Sequence, residues 1–75
     1  MFEIITFDYD EDAQRVLEND SYRAWIDPNQ VAVISELHRG NDGYFNLILN
    51  GDNTSYVIDL ESAQDILKFK EHKSR

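Results

Sequence analysis

The chain has 75 residues, no cysteine, and fifteen acidic residues against seven basic ones, so its formal net charge is −8. The lack of cysteine excludes disulfides, thiol catalysis and zinc–thiolate sites, and the negative charge disfavours direct binding to nucleic acid or to anionic membranes. We expect one domain, residues 1–75, and the reducing cytoplasm as its compartment, because small secreted domains usually carry disulfides. Since the chain has neither a basic, apolar leader nor an apolar run approaching 18 residues, we expect no signal peptide and no membrane span.

The first predicted element is a strand at residues 2–7, which carries apolar side chains on both faces. A short N-terminal helix is predicted next, because Asp8 or Asp10 can cap it and further acids fill its first turn. Three apolar residues follow at helical spacing, namely Ala13, Val16 and Leu17. Residues 19–21 would end this helix.

Alternating or β-branched apolar residues predict four further strands, at residues 22–26, 31–37, 44–49 and 55–60. Asp27-Pro28 suits the first two positions of a type I turn, and the glycines fall in the hairpin loops.

The last segment predicts a C-terminal helix. Residues 62–65 resemble a capping box, and lysines gather at the end that the helix dipole favours. Its expected apolar stripe consists of Leu60, Ala63, Ile66 and Leu67. The predicted fold class is therefore α+β: an antiparallel β-meander of about four to five strands, with a short N-terminal helix and a C-terminal helix packed on one face.

The segment ITFDYDED, residues 5–12, places aspartates at alternate positions after a strand. It resembles the nucleophile motif of haloacid-dehalogenase-type phosphatases, but Asp12 stands where that family needs Thr or Val, and the chain is too short for the family's parallel sheet. It also departs from an EF-hand loop, since Ala13 replaces the glycine and Asn19 the final glutamate. Metal ligands and a phosphotransfer site are therefore not predicted here.

Two interpretations of this acidic segment stay open. The carboxylates can cap a helix and keep the surface soluble. Alternatively, in an extended strand, alternate acids lie about 6.6–6.8 Å apart, similar to two phosphate steps of about 3.4 Å. Such a patch could imitate the backbone of DNA for a nucleic-acid-binding protein.

Catalytic residues are not predicted. His38 and His72 lack partners at metal-ligand spacing, and none of the serines lies in a nucleophile-elbow pattern. Because a chain this small rarely encloses a pocket of about 300 Å³ or more, we expect no enzyme and no cofactor. Trp25 either covers the core from the second face of the sheet or points outward as an anchor for a partner.

Residues 25–67 resemble small bacterial proteins of the FlbD/SwrD flagellar type and uncharacterised proteins built from a β-meander and a helix. The similarity lies in WIDPNQVAVISEL, FNLILNG and YVIDLESAQDIL. It departs where Asp27-Pro28-Asn29 replaces Asn-Pro-Asp, and where residues 52–54 lengthen the hairpin. The resemblance implies a fold and brings no catalytic residues.

The predicted function is a non-catalytic, acidic protein-interaction module. It would act as a small inhibitor or regulator, of the kind that phages and mobile elements encode, on a basic, nucleic-acid-binding protein. The residues expected to bind the partner are Asp8, Asp10, Glu11, Asp12, Glu18, Asp20, Trp25 and Asp27. The alternative is an oligomerising structural or accessory module of the FlbD-like kind, for example a homodimer, that uses its hydrophobic sheet face or an edge strand.

Overall fold

The computed structural model describes residues 1–37, 40–51 and 54–73, with the backbone alone for residues 72 and 73. Within these residues the chain forms five strands, a 3-10 turn at Pro28–Gln30 and a C-terminal helix, α1, at Leu60–Lys73. The strands are β1 Phe2–Asp10, β2 Arg15–Ile26, β3 Val31–Glu36, β4 Tyr44–Leu49 and β5 Ser55–Asp59. The α+β class and the C-terminal helix are therefore confirmed.

All strand pairs are antiparallel, and the order across the sheet is β2-β1-β5-β4-β3. Only β3, β4 and β5 follow one another as a meander, whereas the β1–β2 hairpin joins them through β1 and β5. The chain crosses from the β2 edge to the β3 edge through Pro28–Gln30, where Asp27 accepts a hydrogen bond from the backbone N–H of Asn29. One edge strand, β2, thus belongs to the β1–β2 hairpin, and the other, β3, belongs to the β3–β5 meander.

The predicted N-terminal helix is wrong: residues 11–14 form a turn, and the chain continues as β2 from Arg15. A helix of this length is marginal in water even with good helix formers, and this one would bury only three apolar residues. Pairing with β1, from Asp8 opposite Leu17 to Asp10 opposite Arg15, satisfies backbone groups of both segments instead.

The core lies between α1 and one face of the sheet. Its buried apolar residues are Ile4, Ile26, Val31, Leu47, Ile58, Ala63 and Ile66. Each of the five strands contributes one of these residues, and α1 contributes two. Phe2 and Phe69 extend the contact between β1 and α1, with ring centroids 5.1 Å apart in an edge-to-face arrangement.

The start and the buried face of α1 differ from the prediction. The helix begins at Leu60, and the carboxylate of Asp59 accepts a hydrogen bond from the N–H of Ser62 at 2.9 Å, as an N-cap does. The hydroxyl of Ser62 is buried and accepts from the N–H of Ile5 at 3.1 Å, so it fastens α1 to β1. Leu60 and Leu67 are exposed, because this docking turns Ala63 and Ile66 towards the sheet.

Candidate functional site

The distal half of the β1–β2 hairpin, residues 8–20, carries the densest negative charge and is called the acidic hairpin below. It holds six acids and one base, Arg15, which gives a formal charge of −5. The strand pairing passes from Phe7 opposite Ser21 to Asp8 opposite Leu17, so residues 18–20 form a bulge in β2. This bulge lies at the boundary between the acidic hairpin and the half of the β1–β2 hairpin that packs under α1.

The tip of the hairpin is organised by Asp10. Its Oδ1 accepts hydrogen bonds from the N–H groups of Asp12, at 3.0 Å, and Ala13, at 3.2 Å. Gln14 completes the turn with a φ of 53°, in the left-handed region. The alternate spacing expected for three extended aspartates therefore holds only for Asp8 and Asp10, since Asp12 lies in the turn.

Side chains from the β3–β4 side of the sheet anchor the acidic hairpin. Asn41, only 6% exposed, accepts from the N–H of Val16 and donates to the carbonyl of Gln14, both at 2.9 Å. The hydroxyl of Tyr44 donates to Glu18 at 3.0 Å. The hairpin is thus held by polar contacts, and sequence analysis missed Asn41 because it follows Gly40 in a segment that reads only as a turn.

Two tyrosines that donate to carboxylates of the acidic hairpin have raised pKa values. The hydroxyl of Tyr22 donates to Oδ2 of Asp8 at 3.0 Å, and this hydrogen bond to a carboxylate raises the pKa of Tyr22 above its ordinary value. Burial raises the pKa of Tyr44, and the hydrogen bond to Glu18 adds to the effect. Both phenols therefore remain donors to carboxylates at neutral pH.

The carboxylates of the acidic hairpin form no ion pair with any residue that the structure describes. In the part of the chain that the structure describes, the ion pair joins Arg23 to Glu3 at 3.7 Å, at the opposite end of the hairpin. Five of the six acids are exposed and Asp10 is half-buried; the exposed ones are Asp8, Glu11, Asp12, Glu18 and Asp20. The site is therefore a surface of solvated negative charge.

The structure does not bring Trp25 and Asp27 into this surface. Trp25 pairs with Glu3 in the β1–β2 register, five residues along β1 from Asp8, or roughly 17 Å in an extended strand. It is 57% exposed, with the guanidinium of Arg23 5.6 Å from its ring centroid. It is therefore largely exposed, and its role as an anchor for a partner stays a prediction.

A cleft of about 420 Å³, partly open to solvent, lies beside the acidic hairpin. It forms where β1 continues past its last pairing with β5, between Phe7 and Val57. Four aromatic residues and two acids contribute to its lining: Phe7, Tyr9, Tyr22, Tyr56, Asp8 and Glu11. Sequence analysis did not identify Tyr9 and Tyr56, because strand alternation alone does not show that β1 and β5 diverge.

Residues 1–37, 40–51 and 54–73 contain no helix with both the length and the apolar composition needed to cross a lipid bilayer. The same residues contain no group of three or more His, Asp or Glu side chains placed to hold a metal ion. His38 and the side chain of His72 lie outside the described part of the chain. That the chain is not an enzyme stays a prediction.

Comparison with protein-family models, with curated proteins and with solved structures finds no match for this chain. The resemblance of residues 25–67 to FlbD/SwrD-type proteins therefore stays a prediction.

Proposed function

We propose that the chain is a non-catalytic interaction module, which inhibits or regulates a basic, nucleic-acid-binding protein by occupying its cationic surface. The observation that carries this proposal is the acidic hairpin, where six acids face one base and five of the six acids are exposed. Desolvating such charges is unfavourable unless a partner supplies cations, so the surface selects for a basic partner. Charge complementarity of this kind also accelerates association.

The anchoring contacts support the same role. Asn41 and Tyr44 hold the backbone and Glu18 of the acidic hairpin against the body of the protein. A surface that is already ordered loses less conformational entropy on binding than a mobile one. The hairpin backbone and the carboxylate of Glu18 are therefore held in place before a partner binds.

The test compares two variants that lose the same charge. The hairpin variant carries Asp8→Asn, Asp10→Asn, Glu11→Gln and Asp12→Asn. The control variant carries Glu36→Gln, Glu61→Gln, Asp65→Asn and Glu71→Gln, all outside residues 8–20. Asparagine keeps an acceptor at position 10 for the turn, so the hairpin variant should retain the fold.

Affinity for an arginine-rich peptide is measured by fluorescence anisotropy at several salt concentrations. The hairpin variant should bind on the order of tenfold more weakly, with a flatter salt dependence, and the control variant should stay within about threefold of the unmodified protein. Equal losses in the two variants would show that only the net charge matters, and the proposal would fail.

Self-association through β2 is the second candidate function, and the exposed edge of that strand favours it. β2 is a 12-residue edge strand, and Tyr22 and Trp25 are exposed on it. Edge strands are templates for pairing with another chain. Sedimentation separates the two functions, because dimers of a chain with charge −8 should strengthen as salt screens their repulsion, whereas binding to a basic partner should weaken.

A further inference from the structure

We propose that the cleft beside the acidic hairpin binds the cationic side chain, an arginine or a lysine, that the basic partner inserts into it. This inference rests on the proposed function, and it names the contact that would make binding of the basic partner specific. The cleft volume of about 420 Å³ lies in the range of about 300–1,000 Å³ that is typical of ligand sites.

The lining has the composition that a cation requires. The lining residues include Tyr9, Tyr22 and Tyr56 and the acids Asp8 and Glu11, and the described ones include neither lysine nor arginine. The faces of aromatic rings attract ammonium and guanidinium groups, and the attraction strengthens when the cation is desolvated. Guanidinium also stacks on aromatic rings while it donates to a carboxylate.

Asp8 is positioned for this role. The hydroxyl of Tyr22 holds its Oδ2 at 3.0 Å, and the described residues place no donor on Oδ1. A bound guanidinium or ammonium can therefore donate to Oδ1 without breaking the tyrosine contact. Charge-assisted hydrogen bonds of this kind are shorter and stronger than neutral ones.

The test uses single substitutions with matched controls and an arginine-rich peptide as the probe. Asp8→Asn removes a charge inside the cleft and keeps an acceptor for Tyr22, whereas Asp20→Asn removes the same charge from the bulge, outside the cleft. Asp8→Asn should weaken peptide binding by about tenfold and Asp20→Asn by about twofold. Tyr9→Leu should also weaken binding, and Tyr9→Phe should restore it because the ring face remains.

The outcomes separate this inference from the proposed function. If Asp8→Asn and Asp20→Asn weaken binding equally, the cleft is not the contact, although the acidic hairpin still binds the partner. If the unmodified protein does not bind the peptide, both proposals fail. If circular dichroism shows that Tyr9→Leu does not fold, the comparison of Asp8→Asn with Asp20→Asn still tests whether the cleft binds the peptide.

Spermidine carries the same ammonium groups in a free small molecule and serves as the second probe. If spermidine binds more tightly than the peptide and depends on Asp8, the cleft takes a free polyamine, and the assignment to a protein side chain is overturned. Weaker binding of spermidine, with displacement by the peptide, supports the assignment.

Discussion

The β1–β2 hairpin has two halves with opposite surroundings. Near α1, alternate residues such as Ile4 and Ile26 are buried in the core. In the acidic hairpin, residues 8–20, the anchors are polar and most side chains are exposed. The half near α1 therefore adds to the apolar burial that stabilises the fold, whereas the acidic hairpin displays charge with little apolar burial of its own.

The largest difference should appear when the same truncation is made in the core of the sheet and in the acidic hairpin. Leu47→Ala removes a fully buried side chain and should lower the free energy of unfolding by about 2–5 kcal/mol. Leu17→Ala, at a site that is 38% exposed in the acidic hairpin, should cost less than about 1 kcal/mol. Urea unfolding measures both, and similar losses would mean that the hairpin shares the core's role.

Removal of the main anchor should loosen only the acidic hairpin. Asn41→Ala leaves the N–H of Val16 and the carbonyl of Gln14 without their partner, and should cost about 1–3 kcal/mol. Asn19→Ala, at an exposed site in the bulge, serves as the control. Hydrogen exchange should speed up in residues 11–18 of the Asn41 variant, and faster exchange in the core strands instead would contradict the assignment.

A smaller effect is expected from the turn. Gln14 has a φ of 53°, a conformation that glycine adopts without the penalty of a Cβ, so Gln14→Gly should stabilise the protein by about 0.5–1 kcal/mol. Ala13→Gly, one residue earlier, lacks this compensation and should destabilise it. A thermal melt distinguishes the two, and destabilisation by both would show that the turn is not strained at Gln14.

The smallest effect concerns pH. The pKa of Tyr22 is raised mainly by its hydrogen bond to Asp8, and Asp20 contributes less. The stabilisation from this contact is therefore complete below the unfolded-state pKa of about 10 and is lost as the pH rises through the folded-state value. Asp8→Asn should lower the pKa of Tyr22 more than Asp20→Asn does in a spectroscopic titration, and the reverse order would contradict the contact.

The strands and the helix that form the core could be predicted from the sequence, because the patterns that indicate them are local. Strand β4 begins and ends where the alternation of Phe45, Leu47 and Leu49 predicts, and the C-terminal helix follows β5 directly. The apolar stripe of that helix was only partly right, since docking through Ser62 selects Ile66 over Leu67 for the core.

The acidic half was ambiguous because its residues suit two local structures. An aspartate before a polar segment can cap a helix or a tight turn, and here Asp10 caps a turn because β1 needs a strand partner. Asn41 and the cleft depend on contacts between segments more than 20 residues apart, as the Val16–Asn41 hydrogen bond shows. A local sequence pattern does not indicate contacts between segments so far apart in the chain.

The central claim is that a basic partner binds the acidic hairpin specifically, and is not attracted equally to the acids of the whole surface. Amide chemical shifts, followed by NMR while an arginine-rich peptide is added, test it most directly. We expect the shifts to change in residues 8–22, with little change in the exposed face of α1. Changes spread evenly over the acids of all elements, including Glu36 and Glu61, would contradict the account.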